Sequence, residues 1–368
     1  MANQVDDLLL ESDPNLQLNS ILYENFYEFS QELNIISTYS TEKNAISELS
    51  KIKDNLSIIS LNTQSLFSKY TDLTCFLHEC AKQEVFPSVL ALQETWITEH
   101  TNMNHLKFNN YKFIGTHRKH ARGGGIGCLV HNSFKFEEIL TEYFLEGIHE
   151  SQVLKITNNN FKFYLINIYR PPHENQNQLD QFFDIYSELV DILSDYNAPL
   201  FICGDTNFNI FETTNSNSNA SRFIDIMIYN GFLNTTLRAT RVTPHSFSLL
   251  DIFFVKNFIP NHFKSLILTT DISDHFPVLN IFHKKVMKPS QKLNDFERRN
   301  VSEENLASLN NALLLYNWDY VINATDINVA YSLFISAFTD LYNIHCPKKR
   351  LKIIGKQSDN RNTLMTIF

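Results

Sequence analysis

The feature that most constrains this chain is a series of short apolar runs that begins near residue 56, each run stopping on a polar group. "LSIISLN", "SVLALQE", "GGIGCLVH", "FKFYLINIY", "APLFICGD", "LLDIFFV" and "FKSLILTT" have the length and the β-branched and aromatic content of buried strands. Between them, "LDQFFDIYSELVDILSDY" puts Phe182, Phe183, Ile185, Tyr186, Leu189, Val190 and Leu193 on one face of a helix. "ASRFIDIMIYNGF" repeats the pattern before a stop at Gly231. Strands interleaved with amphipathic helices predict a layered α/β domain over residues 55–284.

The flanks differ in texture. Residues 1–54 are polar and acidic with no sustained period, which predicts a loosely ordered leader with one helix. Residues 285–300 are polar and basic and suit a linker. Over 301–368, Ser302 caps a helix whose first turn holds Glu303 and Glu304, and "NVAYSLFISAFTDLYNIH" forms a second that ends before Pro347. This small helical appendage has too little apolar surface for a core of its own.

Composition narrows the function classes. With 43% hydrophobic and 19% charged residues the chain is globular, and its 30 Phe suit a sheet-rich core. Five cysteines without CxxC spacing indicate neither a disulfide framework nor a zinc site. A net charge of −9 argues against nucleic-acid binding by bulk electrostatics, although an acidic metal-dependent nuclease is compatible with it. No apolar run approaches the roughly 20 residues of a membrane span, and the acidic N-terminus is unlike a signal peptide. The expectation is a soluble intracellular protein without membrane contact.

The polar ends of the runs carry the chemistry. They deliver Asn62, Glu94, Tyr169 with Arg170, Asp205 with Asn207, Asp251, and the neighbouring Asp274 and His275. Singly, "GDTN" reads as a turn, "QET" as a helix cap, "SDH" as a solvated loop and Tyr169 as a packed aromatic. Asp251 inside "LLDIFFV" is harder to place structurally, because a buried acid must be paired. As a set they suit phosphodiester hydrolysis, which must neutralise an anion, generate a hydroxide and stabilise a leaving oxygen. Glu94 and Asn62 offer hard oxygens to Mg²⁺, with Mn²⁺ a possible substitute. Asp205 would position and deprotonate water, Asn207 and Tyr169 would donate to phosphate oxygens, and Asp251 would orient His275. Arg122, in "RGGGIG" at a tight turn entering a strand, and Arg170 are further phosphate-contact candidates. Arg241, with Arg238 in "NTTLRATRVTPHSFS", is a DNA-facing candidate.

In this order, "LNTQSL", "LQETW", "RGGGIGCLV", "NIYRPP", "GDTNFN", "LLDIFFV" and "SDHFP" resemble the endonuclease/exonuclease/phosphatase family. The resemblance implies a four-layer α/β sandwich, two packed and mainly antiparallel sheets flanked by helices, with a metal site at one rim. It implies that Glu94, Asn62 and Asp274 hold the cation and that the Asp251 and His275 pair contacts the scissile group. Many members carry an acid where Gln64 stands, so a second carboxylate from that loop is missing. "LQETW", "RGGGIG", "YRPP" and "SDHFP" most resemble the endonuclease of LINE-type, jockey-like retrotransposons, which nicks DNA to prime reverse transcription. That implies DNA as partner, with element RNA or a polymerase domain as further partners, and action in the nucleus. No polymerase motif precedes Phe368, so a truncated or domesticated reading frame is expected. An abasic-site endonuclease, a small-molecule phosphodiesterase, and an inactive relic that binds nucleic acid or a partner through its basic C-terminal segments remain the alternatives.

Overall fold

The computed structural model describes residues 37–51, 55–120, 123–158, 161–172, 175–212, 218–243, 245–257, 263–283, 296–299 and 303–351. Two sheets dominate. One has seven strands in the order β1 (Ser37–Ser40), β14 (Phe263–Leu268), β15 (Val278–His283), β2 (Asn55–Asn62), β3 (Val89–Gln93), β5 (Ile126–His131) and β4 (Tyr111–Thr116). The other has six, in the order β10 (Leu233–Asn234), β13 (Asp251–Lys256), β9 (Leu200–Asp205), β8 (Phe161–Tyr169), β7 (Glu150–Asn158) and β6 (Lys135–Ile139). Pairing is antiparallel except for β1 with β14, β2 with β3 and β8 with β9. A small hairpin, β11 (Arg241–Thr243) and β12 (Ser246–Ser248), forms a sheet of its own, with Arg241 bridging to His275.

Period-two alternation assigns each strand's side chains to two cores. On β2, Leu56 and Ile58 join Phe201 and Cys203 of β9 and Phe253 of β13 between the sheets. Ile59 and Leu61 face the other way, onto helices α1 (Glu42–Lys51) and α2 (Leu66–Lys82). Leu200 and Ile202 face α3 (Gln176–Ser194) and α4 (Asn219–Tyr229), which bury Phe182, Phe183, Tyr186 and Phe223. Helix, sheet, sheet and helix make four layers, the architecture expected from the resemblance. Strands covered on both faces explain why the runs read as continuously apolar.

The leader expected over residues 1–54 is structured in part. Ser37–Ser40 adds an edge strand parallel to β14, and α1 buries Ala45, Ile46 and Leu49. Residues 1–36 lie outside the described residues. Residues 286–368 form a separate unit with helices α5 (Glu303–Leu315), α6 (Asp319–Ile322) and α7 (Ile327–His345). In the same unit, β16 (Phe296–Arg299), inside the expected linker, pairs with β17 (Lys348–Leu351). All five cysteines are free, and all but Cys75 are buried. Among the described residues no helix is long and apolar enough to cross a membrane.

One glycine fixes the strand carrying the site. Gly204 has φ +143°, and a Cβ there would lie 1.8 Å from the Ile168 carbonyl oxygen of the neighbouring strand. Backbone atoms cannot yield as a flexible side chain can. Gly204→Ala is therefore expected to destabilise the domain by about 3 kcal/mol and to lower its thermal midpoint by on the order of 10 °C. A calorimetric scan showing an unchanged midpoint would contradict the packing described for β8 and β9.

Candidate active site

The inner faces of the two sheets run out of apolar side chains at one end. Asn167 and Gln93 come first: Gln93 Nε2 donates to Asn167 Oδ1 at 2.6 Å, and Asn167 Nδ2 donates to the carbonyls of Leu92 and Gly127, each at 3.1 Å. This amide layer joins the sheets just below the rim. One step further, register aligns Glu150 with Tyr169, Tyr169 with Asp205 and Asp205 with Asp251 across four adjacent strands. Cross-strand partners share a face, so an acid, a phenol and two further acids form one row.

The opposing sheet answers that row with Asn62 and Glu94. Asn62 Nδ2 donates to Glu94 Oε1 at 2.7 Å and to Asp205 Oδ2 at 2.8 Å. Asn207, with φ +51°, folds back so that its backbone N–H reaches Asp205 Oδ1 at 2.9 Å. Its side-chain amide donates to the Arg170 carbonyl at 2.8 Å. His275 Nδ1 lies 2.9 Å from Asp251 Oδ2 and 3.9 Å from Asp205 Oδ2. The Thr240 hydroxyl accepts the Asp251 N–H at 3.1 Å, and its carbonyl accepts the Phe276 N–H at 2.7 Å.

Burial and mutual charge reshape the titration. Burial, reinforced by the negative charge of Asp251, pushes Asp205 up to about 7 against the opposing pull of His275, the Asn207 N–H and Asn62. Burial opposes a charge on His275, but the charge and hydrogen bond of Asp251, with Asp205 and Asp274 behind it, raise the imidazole to about 9. Tyr169 is driven above its ordinary range by burial and by the carboxylates of Glu94 and Asp205, so its phenol keeps its proton.

The expected residues divide into four groups. Asn62, Glu94, Tyr169, Asp205, Asn207, Asp251 and His275 converge. Arg170 does not face the site: only 3% exposed, it donates to the carbonyls of Thr206 and Asn207 and stacks 3.9 Å over the Phe208 ring. It anchors the loop that carries Asp205 and Asn207, a correction to its expected substrate contact. Asp274 and Arg241 are paired with each other at 2.8 Å, half-exposed at the edge of the cluster. Arg122 lies outside the described residues.

Several supporting residues escaped the sequence reading. Glu150, fully buried, accepts from Gly125 N at 2.7 Å, from Gly147 N at 3.0 Å and from the Arg118 guanidinium. The glycine-rich turn so held accepts the Thr95 N–H at Gly125 O, 3.0 Å, and the Trp96 N–H at Gly124 O, 2.9 Å, clamping the loop behind Glu94. Trp96 Nε1 donates to Glu94 Oε2 at 3.1 Å. Glu150, followed by Ser151 and Gln152 at the polar start of its strand, carried no local signal that would have found them.

The family model for the endonuclease/exonuclease/phosphatase family matches residues 59–275, more than half of the chain. The chain belongs to this family. No curated protein sequence matches it. The AP endonuclease LMAP from Leishmania major shares the family fold with 15% identity and a TM-score of 0.51 over 68% of this chain and 97% of that one. The endonuclease domain of TRAS1, a telomere-specific non-LTR retrotransposon, matches at 11% identity over 62% and 98%, TM-score 0.47. TDP2 from D. rerio, complexed with a single-strand DNA product, matches at 18% identity over 63% and 100%, TM-score 0.44.

Members of the endonuclease/exonuclease/phosphatase family are phosphoester-hydrolysing enzymes whose nucleases generally use a divalent metal. The donors here fit such an ion. Asp205, Asp251 and His275 bring ligand atoms within 4.8 Å of one another, and Asp251 Oδ1 is buried without a hydrogen-bond partner. Two carboxylates and an imidazole make up that cluster, and the Asn62 amide joins it to the Glu94 carboxylate, so hard oxygens lead the donors, as a hard cation requires.

The His275 shift also has a sign in stability. A histidine whose folded pKa is raised from 6.5 to about 9 contributes stability that is complete below pH 6.5 and lost as pH climbs through 9. In EDTA, the unfolding free energy of the wild-type protein should fall between pH 6.5 and 9, and His275→Gln should flatten that slope. Urea titrations giving parallel slopes for the two proteins would remove the charged imidazole from the account.

Proposed function

We propose that the protein is a divalent-metal-dependent DNA endonuclease of retroelement origin, which cleaves a phosphodiester by in-line attack of water and leaves a 3′-hydroxyl able to prime reverse transcription. The observation that carries this reading is the convergence of Asn62, Glu94, Tyr169, Asp205, Asn207, Asp251 and His275 at one rim of the sandwich, with Asp205 bonded to Asn62 at 2.8 Å and His275 to Asp251 at 2.9 Å. The retroelement part rests on the motifs "LQETW", "YRPP" and "SDHFP".

Each group has a task that its surroundings suit. Asp205, poised near neutrality, takes the proton of the attacking water, because a base is most effective when its pKa lies close to the working pH. Glu94 and Asn62 would hold the ion, Mg²⁺ or Mn²⁺, which when bound supplies charge neutralisation of the phosphate and stabilises the departing oxygen. His275, kept cationic by Asp251, faces the anionic diester. Tyr169 and Asn207 donate to its non-bridging oxygens, the Asn207 amide leaving the Arg170 carbonyl to do so. Arg241 on its hairpin would trade Asp274 for a phosphate of the DNA, and Asp274 is then a further residue that would hold the ion.

A supercoiled plasmid provides the test. With Mg²⁺ the wild-type protein should yield nicked circles whose ends a DNA polymerase extends directly. Asp205→Ala should slow nicking by about 10³-fold, in the range of losing a general base, and Glu94→Gln should raise the metal concentration required. Equal nicking by wild type and Asp205→Ala, or ends that need a phosphatase before extension, would defeat the proposal. Faster turnover of abasic DNA or of a soluble phosphodiester than of intact plasmid would reassign the substrate.

A further inference from the structure

Just beyond the strand ends that bring the candidate metal ligands, two neighbouring segments each hold an aromatic ring out in solvent. Trp96 follows Glu94 by two residues and is 47% exposed; Phe67, in the first turn of α2 beyond Asn62, is 61% exposed. Backbone bonds lock the loops together: Ser65 N donates to Glu94 O at 2.8 Å and Leu66 N to Thr95 O at 2.9 Å. Glu94 and Trp96 both sit in the left-handed region, φ +47° and +53°, which a bulky residue occupies only when its surroundings impose it. The Gly124 and Gly125 carbonyls impose it here, and the result is specific. The indole's one polar atom is spent on Glu94 at 3.1 Å, leaving its apolar body outside.

A ring held outside at such backbone cost needs an occupant. Every nucleobase offers a π-face, and base-on-aromatic stacking is the usual means of gripping strands whose bases are unpaired. The protein's net charge of −9 gives it little general attraction for phosphates, so affinity must draw on contacts other than bulk charge. Resting on the endonuclease reading above, we propose that Trp96, supported by Phe67, is a stacking platform for an unpaired nucleobase beside the scissile phosphate. The favoured substrate is then single-stranded or locally unpaired DNA.

The chain has two tryptophans, so Trp318→Phe leaves Trp96 as the sole indole and makes its emission a direct reporter. In EDTA, single-stranded DNA should quench that emission saturably, whereas a sugar-phosphate strand of equal length without bases, or a fully paired duplex, should leave it unchanged. By anisotropy of a labelled strand, Trp96→Leu should weaken single-strand binding about tenfold, the effect of losing one stacked base. Trp96→Phe, which keeps a ring and lacks the indole donor, should recover most of the loss, and Phe67→Ala should weaken binding less than Trp96→Leu. The platform is overturned by emission that does not respond to a strand which anisotropy shows to be bound, or by quenching with the base-free strand. Equal single-strand affinity of Trp96→Leu and the wild type overturns it too. Quenching by single strands together with equal nicking by wild type and Asp205→Ala would keep the platform and discard the nuclease.

Discussion

The Asn62 amide donates to Glu94 at 2.7 Å and to Asp205 at 2.8 Å, and in doing so ties a carboxylate beyond one sheet to a carboxylate on the other. Both sheets need this contact. Asp205 is completely buried beside Asp251, its cross-strand partner, and two acids so close in a low-dielectric interior repel one another strongly when ionised. The amide, the Asn207 N–H and the His275 imidazole are what make the pair tolerable. The rest of the rim follows from their placement: Asn207 must turn back on itself, Arg170 must brace its loop, and Thr240 must cap the start of β13. An aspartate at position 62 would set a further acid against Asp205 and Glu94 and remove the donor they share.

Much of the fold was legible because burial on both faces writes itself into strands as unbroken apolar runs. "LFICGD" and "LSIISLN" could hardly be anything but central strands, and the helix over Gln176–Ser194 announced its face at helical spacing. Edge and amphipathic elements were harder to read. Helix α2, "LFSKYTDLTCFLHECAK", mixes Lys, Asp and Glu into a helix buried along one stripe, and β6, "KFEEI", is an edge strand with few apolar residues. Ser37–Lys51 reads as polar chain, since only Ala45, Ile46 and Leu49 of its helix reach the core.

At the site, the types of the polar groups ending the strands were visible, and so was the oddity of Asp251. Partnership was not. Nothing local says that Arg170 turns inward to hold carbonyls while the adjacent Tyr169 joins the acids, because neighbouring residues on a strand face opposite ways and only the register decides which faces the rim. Glu150 illustrates the same limit. Its role as the pin of the glycine turn depends on Gly125, Gly147 and Arg118, positions brought together by the β4 to β5 pairing in one sheet and the packing of β7 of the other sheet against β5.

The aligned row from Glu150 to Asp251 has a consequence for the chain's life before it is folded. Its members lie on four strands separated by up to 101 residues (251 − 150), and Asn62 arrives from the other sheet. Contacts of such long range form only once loop-closure entropy has been overcome. A nascent or partly unfolded chain thus holds its acids apart, and the row comes into being together with the finished sandwich. For a protein of a family that cuts phosphoesters, the topology itself withholds the chemistry until folding is complete.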